Sequence, residues 1–140
     1  MIIFNYINDF LLDNEEVIFD WILSVARNDG FEVEYVNYIF CDDDYLHKLN
    51  IQYLKHDTLT DIISFDNTEG RIISGDIFIS TERVAENART YRISFEEELQ
   101  RVLIHGMLHF MRYNDKEDKD IQAMRGKENE ALKSLPTDNQ

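Results

Sequence analysis

Short β-branched and aromatic segments alternate with helical ones along this chain, and their order leaves few folds open. Strand-like patterns occupy residues 2–7, 33–40, 60–66 and 71–79. Apolar residues at helical spacing follow Asp13 and end at Asn28-Asp29-Gly30, and a shorter helix opens at Asp42 to Asp44. Three further helices follow the fourth strand. The order predicts an α+β fold, in which a four-stranded sheet packs with about five helices.

The length of 140 residues and the apolar fraction of 44% predict one domain over residues 1–140, with a frayed polar tail at 134–140. Cys41 is the only cysteine, so an intramolecular disulfide is impossible, and a buried residue is favoured over a nucleophile. Residues 1–8 lack the basic start of a signal peptide, and no stretch approaches the roughly 20 apolar residues of a membrane span. We therefore expect a cytoplasmic protein without a membrane partner.

The net charge of −14 argues against a generic nucleic-acid binder. The charge is uneven: residues 1–70 contain 15 acidic and 3 basic side chains, whereas residues 71–140 contain 13 and 11. We expect the second half, together with Lys55 and His56, to form the substrate-binding surface, and the acidic first half to face away from it.

The pair Ser94 and Glu97 matches a capping box, which predicts a central helix from there to about Arg112. His105 and His109 are four residues apart in this helix, so their side chains share one face about 6 Å apart along the axis. Two imidazoles at this spacing can bind one metal ion. Partly buried histidines that bond to the backbone would show the same spacing.

A third ligand has to be His, Asp or Glu, because no cysteine is near. If the helix ends near Arg112, the chain can turn back and present Asp115, although Asp115 could also belong to the charged run 115–120. Three protein ligands leave a position for water, whose pKa zinc lowers to about 7. The prediction is one zinc ion per chain, bound by His105, His109 and Asp115 and used for hydrolysis.

Gly106 follows the first histidine, where H-E-x-x-H metalloproteases have the glutamate that acts as general base. Glycine accepts no proton, so this residue disfavours peptide hydrolysis by that route. We expect the glycine to leave room for a bulky group beside the metal.

The segment from His105 to Asp115, HGMLHFMRYND, resembles the H-G-x-L-H-L-x-G-Y-D-H signature of the YbeY family of bacterial rRNA-maturation endoribonucleases. Shorter marks of that family occur in the expected order: Leu49-Asn50 with Tyr53, Thr60 to Phe65, Gly75-Asp76-Ile77, and Glu128. The resemblance covers about residues 35–130. The long motif is specific, whereas the short ones are individually weak.

Some residues in the short motifs have two interpretations. Thr60 and Ser64 fit either a substrate contact or a role at the sheet edge. Asp76 fits either a hydrogen bond to a ligand histidine or a turn at a strand end. The acidic triplet at Asp42 to Asp44 is interpreted as a helix cap, because it lacks the ligand spacing of a calcium loop.

Three positions depart from the family pattern. Asp115 replaces the usual third histidine, which adds a negative charge and weakens the Lewis acidity of the zinc. Arg112 replaces a glycine at the helix end, so we expect Asn114 to adopt the left-handed conformation there. Leu54 replaces an arginine thought to matter for RNA, so either Lys55 or His56 takes over that role or the activity is weaker.

The resemblance implies a zinc-dependent single-strand endoribonuclease that matures the 3′ end of 16S ribosomal RNA and acts in ribosome quality control. Its implied partners are ribosomal RNA and the small ribosomal subunit with its proteins. Lys55, His56 and Arg112 are the predicted phosphate contacts. A non-catalytic ribosome assembly factor stabilised by zinc is the first alternative, which the acidic net charge favours, and a hydrolase for another substrate is the second.

Overall fold

The structure, a computed structural model, describes residues 1–136. In chain order its elements are β1 (Ile2–Tyr6), α1 (Glu15–Asn28), β2 (Glu32–Cys41), α2 (Asp43–Leu49), a π-helical segment (Asn50–Leu54), β3 (Ile62–Asp66), β4 (Ile72–Ser80), α3 (Thr81–Tyr91), α4 (Phe95–Phe110) and α5 (Asp118–Ser134). These elements confirm the predicted α+β fold, with its four strands and five α-helices. Most of the predicted frayed tail, residues 137–140, lies outside the described residues.

The four strands form one sheet in the order β1-β2-β4-β3. The pairs β1–β2 and β2–β4 are parallel, whereas β3 and β4 are antiparallel and form a hairpin. Gly70 in the connecting turn has a φ of 59°, a left-handed conformation that glycine adopts without steric cost. The hairpin places β3 at one edge of the sheet.

Helix α1 attaches to the core through the apolar face that its sequence predicts. Ile18, Trp21 and Ile22 are buried, whereas Val17 is 38% exposed and lies at the border of that face. Trp21 Nε1 donates a hydrogen bond to the carbonyl of Ala131 at 2.8 Å, which joins α1 to α5. Within residues 1–136, no helix combines the length and the apolarity that crossing a membrane requires.

The acidic triplet after β2 has the structural role that the sequence predicts. Asp42 accepts a hydrogen bond from the backbone N–H of Tyr45 at 2.9 Å and caps α2. Asp43 binds Arg83 at 2.8 Å and accepts from the Ser80 hydroxyl at 2.7 Å, so it joins α2 to α3. Cys41 is fully buried, as predicted.

Helix α4 is the central helix, and a glycine sets its distance from the sheet. A Cβ atom on Gly106 would lie 2.9 Å from Ile77 Cδ1 and 3.1 Å from Ile62 Cδ1. The expectation that Gly106 leaves room beside the metal is therefore wrong, because this residue faces the sheet. Its lack of a side chain allows α4 to pack closely on β3 and β4.

Candidate metal centre

The turn after α4 reverses the chain through a left-handed residue. Arg112 has a φ of 77°, and the N–H of Tyr113 donates to the carbonyl of Leu108 at 3.0 Å. The expectation that Asn114 adopts this conformation is wrong, because Arg112 itself occupies the position of the family glycine and does so. A left-handed conformation costs an L-residue about 1–2 kcal/mol, so other contacts must hold the turn.

Tyr113 fixes this turn against two other helices. Its hydroxyl donates to Asp29 Oδ2 at 2.9 Å, and Lys127 Nζ lies 3.3 Å from Asp29 Oδ1. Burial and the hydrogen bond to Asp29 raise the pKa of Tyr113 above its usual value. The contacts connect the end of α1, the turn and α5, and they help to offset the strain at Arg112.

The turn brings Asp115 back to the two histidines of α4. Nε2 of His105 and Nε2 of His109 lie 3.1 Å apart, and Asp115 Oδ2 lies 3.4 Å and 3.2 Å from them, respectively. The three residues that the sequence predicts as metal ligands therefore come together, and they are the one group of His, Cys, Asp or Glu within residues 1–136 that could hold a metal ion. Their side chains are 23%, 31% and 41% exposed, respectively, so the cluster is open to solvent on one side.

The geometry of these atoms fits a small divalent metal ion. Ligands about 2.0–2.1 Å from a tetrahedral zinc ion are about 3.3 Å from one another. The three measured separations of 3.1, 3.2 and 3.4 Å are close to that value, so one ion can contact all three atoms. Two imidazole nitrogens and one carboxylate oxygen are also a normal donor set for zinc.

Glu128 on α5 fixes the orientation of the first histidine of the cluster. Its Oε2 lies 2.7 Å from His105 Nδ1, and its Oε1 accepts a hydrogen bond from Arg101 Nη1 at 2.9 Å. A proton on Nδ1 leaves the Nε2 lone pair of His105 free to face Asp115. Burial alone would lower the pKa of His105, but the hydrogen bond and charge of Glu128 raise it above its usual value.

The role of Glu128 was not inferred from the sequence, where it appeared only as a family mark. It lies on the buried face of α5 with Met124 and Ala131, and it is 4% exposed. The sequence signal that could have indicated this role is an acidic residue on the apolar face of a helix. Asp76 has neither proposed role: it lies within β4, and its Oδ1 accepts from Asn37 Nδ2 at 2.9 Å.

A cavity of about 310 Å³ adjoins the His/His/Asp cluster. Its lining includes His105 and Asp115, the basic residues Arg101 and Arg125, and the acidic residues Asp61, Glu98 and Glu128. Neither Arg101 nor Arg125 was singled out in the sequence. Their place beside the cluster appears only when α4 and α5 are packed together.

The predicted phosphate contacts lie elsewhere on the surface. Lys55, with a φ of 58°, directly follows the π-helical segment, and the backbone N–H of His56 donates to the Asn50 carbonyl at 3.2 Å. Lys55, His56 and Arg112 are exposed and do not line the cavity. Their contact with phosphates stays a prediction.

The fold and the site together define a class: an α+β protein with a candidate metal-binding His/His/Asp cluster on a central helix and the turn after it. The family model described as Endoribonuclease YbeY matches residues 7–136. This chain belongs to the endoribonuclease YbeY family, which confirms the resemblance seen in the sequence.

Individual relatives agree with this assignment. The chain is 57% identical over 132 residues to an endoribonuclease YbeY of Flavobacterium johnsoniae, covering 94% of this chain and 95% of the relative. It is 53% identical to one of Flavobacterium psychrophilum, covering 95% of each. A solution structure of a Thermotoga maritima protein matches with a TM-score of 0.70 and 28% identity, covering 96% of this chain and 89% of that chain.

Proposed function

We propose that this chain is a zinc-dependent endoribonuclease that cleaves single-stranded ribosomal RNA. In this proposal it acts in the cytoplasm on the small ribosomal subunit, in maturation of the 16S rRNA 3′ end and in quality control. The main support is the triangle of donor atoms from His105, His109 and Asp115, whose sides of 3.1–3.4 Å suit one ion. Family membership supports the nuclease activity.

His105, His109 and Asp115 would hold the ion through three protein ligands, a number that leaves a coordination position for water or substrate. A zinc ion bound there supplies Lewis acidity and lowers the pKa of a coordinated water to about 7. Glu128 fixes the ring of His105 through the 2.7 Å contact to Nδ1. The residue therefore preserves the donor geometry that hydrolysis needs.

Basic side chains beside the cluster suit the phosphates of RNA. Arg101 is held by Glu128 at 2.9 Å and by Asn129 at 3.0 Å, so its charge is fixed at the cavity wall. Arg125 is 60% exposed and lies 3.8 Å from Glu128 Oε1. We expect Arg125 to contact a backbone phosphate, in addition to Lys55, His56 and Arg112.

Cleavage of defined RNAs by the zinc-loaded protein tests the proposal. We expect single-stranded RNA to be cleaved and a duplex of the same sequence to resist. Asp115→Ala should lose both zinc and cleavage, whereas Asp118→Ala, in the exposed charged segment, should retain both. Cleavage that survives in Asp115→Ala, or elemental analysis showing no zinc in the purified protein, contradicts the proposal.

A non-catalytic assembly factor is the second candidate, because a net charge of −14 opposes RNA binding. This alternative expects zinc to stabilise the fold and the protein to bind small ribosomal subunits without cleaving RNA. Cosedimentation with subunits that leaves their RNA intact would support it. Peptide hydrolysis is disfavoured, since Gly106 provides no carboxylate and faces the sheet.

A further inference from the structure

A buried asparagine anchors the loop at residues 55–61, which joins the π-helical segment to β3. Asn50 is 3% exposed, whereas residues 51–59 are all exposed. Its side-chain Nδ2 donates a hydrogen bond to the Thr58 carbonyl at 2.8 Å. Its backbone carbonyl accepts from the N–H groups of Lys55 and His56, the latter at 3.2 Å. Asn50 therefore fixes both the start and the middle of the loop.

These bonds surround a backbone conformation that a lysine rarely adopts. Lys55 has a φ of 58°, in the left-handed region that disfavours residues with a Cβ atom. The π-helical turn before it is also uncommon, and such turns occur frequently at functional sites. A strained backbone persists only when the surrounding contacts maintain it. Asn50 provides such contacts, so it helps to set the direction in which the Lys55 side chain leaves the loop.

The side chain of Asn50 restrains the loop more strongly than the other side-chain contact in this segment. His47 Nε2 lies 2.8 Å from Asp57 Oδ1, but the Asp57 side chain is 85% exposed, so water competes with this contact. The bond from Asn50 to Thr58 is partly buried and therefore better protected from water. Loss of the Asn50 amide should free the middle of the loop.

Lys55 carries an unpaired charge in the acidic half of the chain. That half contains three basic side chains. Arg27 lies 3.8 Å from Glu32 Oε2, and Lys48 lies 3.1 Å from Asp44 Oδ2. Lys55 forms no salt bridge within the part of the chain that the structure describes. Its ammonium group is therefore available to an anion such as a phosphate.

The loop connects this cation with the cavity beside the metal cluster. It ends at Asp61, which lines the cavity and whose backbone carbonyl accepts from the Ser80 N–H at 3.0 Å. Six residues of extended chain span at most about 20 Å, so Lys55 lies within that distance of Asp61. An RNA strand with one phosphate at the metal cluster can therefore place a more distant phosphate at Lys55.

We propose that the Asn50 side chain is a positioning group for RNA binding, which holds the loop so that Lys55 contacts a phosphate of the strand that extends from the metal cluster. Asn50 is buried, so it does not touch the RNA and acts through Lys55. The inference rests on the proposed function, because it specifies how the same site holds its RNA strand.

The salt dependence of binding tests this role without cleavage. The probe is a fluorescent single-stranded DNA, which carries the same phosphates as RNA and is not a substrate of a ribonuclease. On a single strand, the logarithm of affinity falls with the logarithm of salt concentration by about 0.7 per phosphate contact. For the zinc-loaded protein, we expect Lys55→Gln to reduce this slope by about 0.7. Asn50→Ala should reduce it by a similar amount.

A double variant separates positioning from a general effect on the fold. If Asn50 acts through Lys55, the variant that combines Asn50→Ala with Lys55→Gln should lose no more slope than either single variant. Hydrogen exchange at the backbone amides of residues 55–58 should be faster in Asn50→Ala and unchanged in Lys55→Gln. If Asn50→Ala does not fold, Asn50→Asp replaces it, because it has nearly the same shape and lacks the donor.

Two exposed residues provide matched controls. Gln52→Ala changes the same π-helical segment, and Lys48→Gln removes a basic side chain that is paired with Asp44. Both variants should retain the slope of the parent protein, because neither residue holds the loop or offers an unpaired charge.

A Lys55→Gln variant with the parent slope overturns the proposal, and this result does not depend on the folding of an Asn50 variant. A folded Asn50→Ala protein with the parent slope overturns it as well, and so do losses that add in the double variant. If the protein cleaves single-stranded RNA and Lys55→Gln keeps the parent slope, the positioning role is wrong and the nuclease proposal stands. A slope that depends on Asn50 and Lys55 in a protein that cleaves no RNA supports the positioning role and contradicts the nuclease.

Discussion

Glu128 Oε2 lies 2.7 Å from His105 Nδ1, and this contact connects the last helix to the central one at the candidate metal site. The glutamate side chain is only 5% exposed, and its other oxygen binds Arg101 at 2.9 Å. The contacts to His105 and Arg101 lower the pKa of Glu128 although its burial alone would raise it. An ionised carboxylate is therefore held where it orients His105, a candidate metal ligand.

We expect Glu128→Gln to weaken zinc binding by about 10- to 100-fold, as is typical when a residue that orients a metal ligand is lost. The amide removes the charge that favours a proton on His105 Nδ1. Competition with a chelator of known affinity measures the change. Glu130→Gln, on the exposed side of α5, is the matched control. Equal zinc affinities for the two variants would show that Glu128 does not orient the site.

Replacing two helical glycines with alanine should change the stability of the protein in opposite directions. A Cβ on Gly106 would lie 2.9 Å from Ile77 Cδ1, whereas one on Gly126 meets nothing within 4 Å. We expect Gly106→Ala to destabilise the protein by about 1–3 kcal/mol through overpacking. Gly126→Ala should stabilise it by up to about 1 kcal/mol through helix propensity. Urea unfolding measures both, and a stable Gly106→Ala would show that α4 can move away from the sheet.

Arg112→Gly should stabilise the protein by about 1 kcal/mol, because Arg112 has a φ of 77° and glycine adopts this conformation without strain. Asn114→Gly is the control, since Asn114 is not among the residues with positive φ. That variant should give no gain and a small loss from added freedom in the unfolded chain. Thermal unfolding compares the two, and a gain in Asn114→Gly alone would contradict the turn geometry.

Local patterns in the sequence were sufficient to predict much of the fold. Ser94 accepts a hydrogen bond from the Glu97 N–H at 3.1 Å, so the predicted start of the central helix is confirmed. The β3–β4 hairpin follows from a short turn between two apolar segments. Such features depend on neighbours in the chain, so they can be read from sequence order.

Features that depend on packing between distant segments were missed. The orientation of Gly106 toward Ile77 requires the position of the sheet, and the contact of Glu128 with His105 spans 23 residues. The left-handed residue was assigned to Asn114 because asparagine tolerates that conformation better than arginine. The contacts of Tyr113 with Asp29, 84 residues earlier, help to hold the turn with Arg112 in that role.

The role of Asp115 decides whether the His/His/Asp cluster is a metal site or part of a solvated surface turn. Its Oδ2 lies 3.2 Å from His109 Nε2 and 3.4 Å from His105 Nε2, so removing the carboxylate leaves two ligands. We expect Asp115→Ala to lose most zinc affinity. Asp115→His should retain zinc, because imidazole nitrogen is also a normal ligand. Asp115→Asn should be intermediate, because its amide oxygen can coordinate but has no charge.

Zinc titration of these three variants against a competing chelator distinguishes the ligand role from that of a solvated turn residue. Asp118→Ala, which changes the first residue of α5, is the control and should bind zinc like the parent protein. If Asp115 only occupies the surface, all three variants should bind zinc equally and differ in stability by no more than about 0.5 kcal/mol. If Asp115 is a ligand, zinc affinity should decrease from the His variant to the Asn variant to the Ala variant. A solvated residue would not produce this order.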